Sequence, residues 1–346
     1  MAADRAADVL LVSLGATEGL RRADDELADS LRRAGASVHL ARAAAPTERP
    51  TLMLTDLAWA GAARTSALHA LKELRGSPGA VIYSSTTAAL LWPRPGAIRF
   101  DAPSSGNRPG RHGLWQRPLE RRRLAAAPLL LPWSEGALRE SPPAARTAER
   151  AIVVPVPAEP SGGGHPGERD IAALTYGANP LKKGLDRVLA AWRQVRAEGT
   201  GGPDQELVVT GASLHELQRA GLRLASEEGV RVLDGLTGEA YRALVRRARV
   251  FVCAPRREDY GLAQLEALAD GCMLVTTPAP GPYAALPIAR ALDPRLVSDD
   301  LAGALRTALV EPLPDYGERA GEALAPFSRR EVDRVVAERL LPRLLP

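Results

Sequence analysis

The chain has 346 residues, 45% of them hydrophobic, and a net charge of +4 with a pI near 9.3. This length favours two domains of roughly 150 residues over one. The cysteines Cys253 and Cys272 are too few for a disulfide framework, and the sequence shows neither a signal-peptide core nor an apolar run of membrane-spanning length. We therefore expect a cytoplasmic protein. We also expect both cysteines to lie in apolar strands as small core residues.

The first half alternates short apolar runs with helical patterns. A strand at 8–13 leads through a glycine turn at 15–19 into an amphipathic helix at 20–34, which Gly35 ends. Further strands are predicted at 37–40, 51–54, 80–83 and 129–132. Such runs between helices predict a parallel sheet covered on both faces. The glycine turn fits a plain tight turn as well as a loop whose amides approach a phosphate.

A proline- and glycine-rich stretch at 155–167 separates the halves and predicts a linker. Its residues 162–167 match the letters G-x-G-x-x-G, but Pro166 forbids the helix start that a dinucleotide site needs, so we interpret them as linker. The second half then predicts strands at 171–175, 206–210, 230–233, 249–254 and 273–277. Helices are predicted at 185–196, 214–225, 241–247 and 328–341.

These patterns predict an α/β protein with two Rossmann-like, doubly wound parallel-sheet domains facing across a cleft. The predicted bounds are 1–157 for the first domain, 158–169 for the linker, 170–327 for the second domain and 328–346 for a C-terminal helix.

Eight arginines lie between Arg94 and Arg123, and only Asp101 and Glu120 oppose them. Three interpretations are open: a solvated surface, a pocket for an anionic small molecule, or a dock for acidic lipid headgroups. Nucleic acid is not expected as a partner, because stacking aromatic residues are scarce among these arginines.

No pattern indicates a metal or a bound cofactor. The five histidines lack metal-ligand spacing, and the sequence contains no Asp-x-Asp, no Walker loop and no G-x-S-x-G elbow. We therefore expect chemistry that requires neither.

Glu258 and Glu266 are separated by seven residues, and a Tyr-Gly-Leu turn lies between them. A buried-type strand precedes the pair, and Gly261 and Leu262 begin a helix. A helix N-terminus attracts phosphate. Carboxylates accept hydrogen bonds from sugar hydroxyls but repel phosphate. The pattern fits a sugar–diphosphate–nucleoside, although the spacing alone also fits a plain helix with two exposed glutamates.

Residues 253–277 resemble the E-x7-E signature of the retaining glycosyltransferases of family GT4, which have the GT-B fold. The signature runs from Pro255 to Gly271 as Pro-Arg-Arg-Glu-Asp-Tyr-Gly-Leu-Ala-Gln-Leu-Glu-Ala-Leu-Ala-Asp-Gly. A second block at 176–190 resembles the family's Gly-Arg-x4-Lys-Gly-x-Asp pattern, but Ala178 replaces its phosphate-binding arginine. A third block, 230–248, is similar to the strand and helix before the signature.

The resemblance implies a C-terminal helix that returns towards the first domain and a donor site in the second domain. Lys183 would neutralise the donor diphosphate, Glu258 would hold the transferred sugar and Glu266 would bind the ribose. Leu236 would lie near the base. The predicted catalytic groups are Glu258 and Lys183, and the predicted donor-binding residues are Glu266, Tyr260, Gly261, Leu262, Leu236, Asn179, Lys182 and Gly15.

The first domain would hold the acceptor. The family's histidine has no counterpart here, and we predict acceptor contacts from Arg99, Asp101 and His112, with a structural role as the alternative for Asp101 and His112. The acceptor is expected to be anionic or lipid-linked, and the stretch 94–123 would then contact the inner face of the membrane.

The implied function is metal-independent transfer of a sugar, with retention, from a nucleoside diphosphate to a hydroxyl group. UDP is the family's commonest carrier. Two alternatives remain at this point: another GT-B nucleotide-sugar enzyme of epimerase-like or phosphorylase-like type, and a non-catalytic nucleotide-sugar-binding protein. Ala178 favours the second alternative.

Overall fold

The chain folds into two compact units. The computed structural model describes residues 7–47, 49–74, 76–162, 169–199 and 205–345. The N-terminal unit comprises Met1–Pro157 and Phe327–Pro346, and the C-terminal unit comprises Ala158–Pro326. Most of the glycine motif at 162–167 lies outside the described residues, so its interpretation as linker stays a prediction.

The N-terminal unit is built on a parallel sheet with the strand order β2-β1-β3-β4-β5. Its strands are β1 (Val9–Ser13), β2 (Val38–Arg42), β3 (Ala80–Tyr83), β4 (Ala97–Phe100) and β5 (Leu130–Pro132). Its helices are α1 (Glu18–Arg33), α2 (Leu52–Glu73), α3 (Thr86–Ala89), α4 (Ser104–Asn107), α5 (Gln116–Ala126) and α6 (Glu135–Glu140). Short 3₁₀ turns cover Gly110–Gly113 and Pro143–Ala145.

The predicted strand at 51–54 is wrong. Thr51 is the N-cap of α2, and its hydroxyl accepts a hydrogen bond from the Leu54 amide at 3.3 Å. A four-residue apolar run does not distinguish a strand from the first turn of a helix. Here the alanines that follow it, Ala60, Ala63 and Ala67, form the buried face of a 22-residue helix.

The C-terminal unit repeats the architecture with the strand order β10-β9-β6-β7-β8. Its strands are β6 (Ile171–Tyr176), β7 (Leu207–Thr210), β8 (Val230–Leu233), β9 (Ala248–Cys253) and β10 (Met273–Thr276), all parallel. Its helices are α7 (Leu185–Ala197), α8 (Leu214–Arg219), α9 (Gly238–Arg247), α10 (Leu262–Ala269), α11 (Ala285–Leu292), α12 (Leu301–Val310) and α13 (Tyr316–Ala323). Further 3₁₀ turns cover Ser226–Glu228, Pro294–Leu296 and Ala325–Phe327.

Two details of this unit differ from the prediction. The helix predicted at 214–225 ends at Arg219, because the chain turns at Gly221, which has a left-handed φ of +78°. Cys272 lies in the turn before β10, not in the strand. Both cysteines are buried free thiols, as expected.

The C-terminal tail packs on the N-terminal unit. It consists of α14 (Arg329–Val335), a π turn (Val336–Leu340) and α15 (Leu341–Leu344). Val332, Val336 and Leu340 belong to the same buried cluster as Val9 and Leu11 of β1. The tail therefore completes one face of the first sheet, and the prediction of two Rossmann-like units with a returning C-terminal helix is confirmed.

Candidate functional site

The loops at the carboxyl edge of the second sheet pack tightly on one another. Gly184 ends the loop after β6 and has a φ of +68°. A Cβ at this position would overlap the carbonyl oxygen of Ala254, in the loop after β9. The amide of Arg256 in that second loop donates to the Lys182 carbonyl at 3.0 Å. Glycine at 184 therefore allows Lys182 and Lys183 to lie against the segment that follows β9.

The glutamate motif lies where α10 begins. Gly261 is the N-cap with a φ of +88°, and it has no side chain to cap the first-turn amides, which stay available to a ligand. Three residues earlier, the Glu258 amide donates to the Pro280 carbonyl at 3.0 Å, and the Glu258 carbonyl accepts from the Tyr283 amide at 3.3 Å. The motif backbone is thus held by the loop after β10.

Lys183 and Glu258 form an ion pair beside this helix start. Lys183 Nζ donates to Glu258 Oε2 at 2.8 Å, and Gln264 Nε2 donates to the same oxygen at 3.1 Å. The Lys183 side chain is 26% exposed and that of Glu258 is 7% exposed. Burial alone would lower the pKa of Lys183, but the charge and hydrogen bond of Glu258 outweigh it and raise the pKa. Lys183 is therefore a stable cation at neutral pH.

The layer beneath this pair is buried and neutral. Cys253 Sγ lies 3.3 Å from Thr276 Oγ1 and 3.5 Å from the Tyr283 hydroxyl. Burial raises the pKa of the Cys253 thiol, so the thiol stays protonated. Cys253 is a core residue here, which agrees with the expectation from the sequence.

Other cations near the motif are paired with carboxylates. Asp259 lies 2.8 Å from Arg257 and 3.5 Å from Lys182. Arg256 lies 2.8 Å from Asp186 in the first turn of α7. Four cationic side chains (Lys182, Lys183, Arg256 and Arg257) thus face three carboxylates (Asp186, Glu258 and Asp259), which leaves a net charge of +1. The position of the family arginine is occupied by Ala178.

Glu266 is buried in a second ionic group. Its Oε1 lies 3.6 Å from an Arg242 guanidinium nitrogen, and Arg242 Nε donates to Asp270 at 2.8 Å. Burial would lower the pKa of Arg242, but the hydrogen bond and charge of Asp270 raise it. Tyr241, next to Arg242, stacks edge-on with Tyr176 at 5.9 Å between ring centroids. Glu266 is therefore held from within its own unit.

The remaining predicted donor residues lie at the same sheet edge. Asn179 adopts a left-handed φ of 55°, and its carbonyl accepts from the Lys183 amide at 3.0 Å. Tyr260 is buried, Leu262 is half-buried in the first turn of α10, and Leu236 is half-buried in the loop after β8. The structure thus gathers these residues on the edge that carries Lys183 and Glu258.

Two residues of the site were missed by the sequence reasoning. Gln264 shares an oxygen of Glu258 with Lys183, and Arg242 pairs with Glu266. Gln264 lies inside the signature, three positions after Gly261, so its location on the first turn of α10 was a usable signal. Nothing local marks Arg242, because its partners lie 24 and 28 positions further along the chain.

The acceptor residues predicted in the N-terminal unit are less open than expected. The Arg99 side chain is 1% exposed, lies 3.4 Å from the buried Asp24 and stacks on Trp133 at 4.7 Å. Burial raises the pKa of Asp24, although Arg99 and Ser13 counteract it. Arg99 therefore has a structural partner. The half-buried Asp101 accepts from the Ala102 amide at 2.8 Å, while His112 is exposed.

The glycine turn of the N-terminal unit is closed by a side chain. Gly15 has a φ of +56°, and Arg21 donates to its carbonyl at 2.8 Å. Arg21 also pairs with Glu18 at 2.7 Å. This contact supports the tight-turn interpretation, and a phosphate role for Gly15 stays a prediction.

Most of the arginines between Arg94 and Arg123 are used inside the N-terminal unit. Arg108 forms a bidentate pair with the buried Asp56 at 2.6 and 3.0 Å. The others with structural partners are Arg94 with Ser77, Arg99 with Asp24, Arg117 with two backbone carbonyls, and Arg123 with the Leu90 carbonyl and the Trp92 ring. Arg111, Arg121 and Arg122 are exposed. The expectation of an eight-arginine surface is therefore too broad.

Two further absences hold for the part of the chain that the structure describes. No cluster of three or more His, Cys, Asp or Glu side chains there has a geometry suited to a metal ion. No described helix is both long and apolar enough to cross a membrane.

Comparisons with known proteins bear on the family and on the fold. Residues 163–288 match the family model described as "Glycosyl transferases group 1". The fold is similar to WaaG, a glycosyltransferase involved in lipopolysaccharide biosynthesis, with a TM-score of 0.65, 14% identity, and 96% and 99% of the two chains covered. It is also similar to a UDP-forming α,α-trehalose-phosphate synthase from Burkholderia xenovorans in complex with glucose-6-phosphate, with a TM-score of 0.66, 15% identity and coverage of 98% and 99%.

A third similar structure is the pneumococcal O-GlcNAc transferase GtfA in complex with UDP and GlcNAc, with a TM-score of 0.59 and 11% identity. That likeness covers 82% of this chain and 60% of GtfA. Comparison of the sequence with curated proteins gives no match.

The two parallel-sheet units give the chain the GT-B fold of these glycosyltransferases. The match to the group 1 family model supports a glycosyltransferase enzyme. Its C-terminal unit carries the match to the group 1 family, and the E-x7-E resemblance is thereby confirmed.

Proposed function

We propose that the chain transfers a sugar from a nucleoside diphosphate, with UDP as the first candidate, to a hydroxyl group with retention at the anomeric carbon. The observation that carries this proposal is the Lys183–Glu258 pair at the start of α10. It combines a cation and free helix amides for phosphate with a carboxylate for sugar hydroxyls. UDP is supported by the UDP that GtfA binds and by the UDP-forming synthase.

The residues of the C-terminal unit have separate tasks in this reaction. The diphosphate gains charge as the bond to the sugar breaks, and Lys183 with the first amides of α10 stabilises that charge. One well-placed group of this kind is worth about 3–4 kcal/mol. Glu258 orients the sugar, and Glu266, held by Arg242, binds the ribose. The mechanism includes no covalent nucleophile and no metal.

The acceptor and location are a further part of the proposal. An anionic acceptor is favoured because Arg111, Arg121 and Arg122 leave an exposed cationic surface on the N-terminal unit. The similar trehalose-phosphate synthase is in complex with glucose-6-phosphate, which is an anionic molecule with hydroxyl groups. The same surface suits a lipid-linked acceptor, with the protein in the cytoplasm and in peripheral contact with the membrane.

One observation favours a second candidate, a protein that binds a nucleotide sugar without turnover. Ala178 removes the family arginine, and the cations that remain are paired with carboxylates. Binding of a nucleoside diphosphate with no product from any acceptor would favour this candidate over the transferase.

Two substitutions test the site. We expect Lys183→Ala and Glu258→Ala each to reduce turnover at least about a hundredfold, because each removes a group that acts on the donor. Release of nucleoside diphosphate from nucleoside-diphosphate glucose, with glucose 6-phosphate as the first acceptor, measures the loss. EDTA should leave the wild-type rate unchanged, and NMR of the product should show retention.

The matched control is Lys72→Ala, since Lys72 is exposed in the last turn of α2 and is the chain's only lysine outside the site. Circular dichroism verifies the fold of each variant. Wild-type kinetics in both site variants would reject the assignment of Lys183 and Glu258.

A further inference from the structure

The two groups that the proposed function assigns to different parts of the donor contact each other in the free protein. Lys183 Nζ and Glu258 Oε2 are 2.8 Å apart. Lys183 is assigned to the diphosphate and Glu258 to the sugar. A donor that enters the site must therefore take Lys183 from Glu258 or share it with Glu258.

Backbone and side-chain contacts hold Glu258 in its place. Its amide and carbonyl are hydrogen-bonded to the loop after β10, through Pro280 and Tyr283. Gly281 in this loop has a φ of +115° and approaches the Glu258 carbonyl so closely that a Cβ would overlap it. Gln264 holds the carboxylate at 3.1 Å. The negative charge therefore stays beside the phosphate position.

The neighbouring cations are paired with carboxylates other than Glu258. Asp259 engages Arg257 at 2.8 Å and Lys182 at 3.5 Å. Asp186 engages Arg256 at 2.8 Å. Ala178 supplies no charge. Lys182 and Arg257 share Asp259, so one of them can turn to the diphosphate while the other keeps Asp259 paired. Lys183 is the cation that forms the ion pair with Glu258, so its transfer to the diphosphate weakens the charge compensation of Glu258.

Whether Glu258 opposes or supports binding then depends on the chemical groups of the ligand. A bare nucleoside diphosphate places negative charge near a carboxylate that is 7% exposed and has lost its cation, which is unfavourable. A nucleotide sugar brings hydroxyl groups that donate to the same carboxylate. We infer that Glu258 makes the site discriminate against the nucleoside diphosphate product and in favour of the nucleotide sugar. This inference rests on the proposed function and adds a role in product release.

The test uses calorimetry, in the absence of an acceptor, to compare the affinity for a nucleoside diphosphate with the affinity for its glucose conjugate. The probes are UDP, GDP, ADP and dTDP and the glucose conjugate of each, measured against wild type, Glu258→Gln and Asp186→Asn. We expect wild type to bind the glucose conjugate more tightly than the matching diphosphate. In Glu258→Gln the diphosphate should bind at least about tenfold more tightly, since a like charge at close range is gone, and the preference for the conjugate should disappear.

Asp186→Asn is the matched control, because it also removes one carboxylate from a cation of the same edge. Asp186→Asn should change the affinities for the diphosphate and for its glucose conjugate by the same factor. The ratio of the two affinities should therefore stay as in wild type. A folded Glu258→Gln that binds the diphosphate no more tightly than wild type overturns the inference while the proposed function stands. The inference is also overturned if the wild-type protein binds the diphosphate more tightly than its glucose conjugate. This measurement requires no variant. A wild-type protein that binds none of the probes overturns both.

Discussion

Arginine side chains show how far residue type alone can mislead. Between Arg94 and Arg123, five of eight guanidinium groups bond to carboxylates, hydroxyls, backbone carbonyls or tryptophan rings within the N-terminal unit. Arg99 is an example, since it lies at 1% exposure between Asp24 and Trp133. A long side chain with five donors suits buried networks as well as surfaces. Charge density in the sequence therefore overstated the cationic surface.

Glycine at 184 is a requirement of the site and not of the fold in general. Its φ of +68° disfavours other residues, and the Ala254 carbonyl occupies the place of a Cβ. Gly221 has a similar φ of +78°, but nothing lies within 4 Å of the position of its Cβ. A substitution at Gly221 therefore tests the free-energy cost of the left-handed backbone alone. A substitution at Gly184 adds the cost of steric overlap with Ala254.

Gly184→Ala should push apart the loops that hold Lys183 and Glu258. We expect a loss of well over about 2 kcal/mol in unfolding free energy, because the left-handed conformation of one residue alone costs about 1–2 kcal/mol, and we expect donor binding to weaken. Gly221→Ala should lower the unfolding free energy only by the cost of the left-handed conformation, and donor binding should stay as in wild type. Urea unfolding and nucleotide titration measure both effects. Equal losses in the two variants would contradict the overlap argument.

At the scale of elements, the long periodic segments and most short apolar runs were predicted correctly, and the run at 51–54 was not. The helices starting near Glu18, Leu185 and Arg329 appear where caps and periodicity placed them. The run at 51–54 became a helix start because the alanines after it pack on the sheet. Periodicity reports a buried face only when the segment spans several turns.

The tail owes its position to both apolar and ionic contacts. Asp333 accepts from Ser30 at 2.5 Å and from Arg33 at 2.7 and 2.8 Å. Burial would raise the pKa of Asp333, but these hydrogen bonds and Arg33 lower it. A carboxyl with a lowered folded pKa contributes stability above its unfolded pKa of 3.8 and loses it as the pH falls through the folded value. The tail contact should therefore persist at neutral pH.

Leu340→Ala should destabilise the N-terminal unit. Leu340 is fully buried in the cluster with Val9 and Leu11, and a buried leucine truncated to alanine costs about 2–5 kcal/mol. The neighbouring Arg339 is exposed, so Arg339→Ala should change the unfolding free energy by about 0.5 kcal/mol or less. Urea unfolding followed by circular dichroism measures the difference. A neutral Leu340→Ala would mean that the tail is not part of this core.

For the molecule as a whole, the net charge of +4 is less informative than its distribution. Arg111, Arg121 and Arg122 are exposed in the N-terminal unit. That unit also exposes Leu57 and Leu114, at 43% and 61%. Exposed leucines together with unneutralised arginines are typical of surfaces that meet anionic lipid. This distribution supports the peripheral membrane contact in the proposed function.

The triple substitution of Arg111, Arg121 and Arg122 to glutamine should abolish binding to anionic vesicles. Each arginine near such a surface contributes about 1 kcal/mol, so we expect the vesicle partition coefficient to fall by about two orders of magnitude. Co-sedimentation with phosphatidylglycerol vesicles at low salt, compared with phosphatidylcholine vesicles, measures it. The matched control replaces three exposed arginines of the C-terminal unit, Arg187, Arg219 and Arg290, and should bind like wild type. Equal loss in both triples would indicate a nonspecific effect of net charge.

The sequence by itself determined the two Rossmann-like units, the existence of the C-terminal helix and the position of the Glu258–Glu266 motif. These follow from local signals, namely periodicity, caps, glycine turns and a motif whose residues stand a fixed distance apart on one strand–helix unit. Only the tertiary structure decided that Lys183 pairs with Glu258, 75 positions away, that Gln264 shares that carboxylate, and that Arg99 is buried. Charge pairs between distant segments leave no periodic trace, because their energy depends on distance and burial that exist only after the sheets have formed.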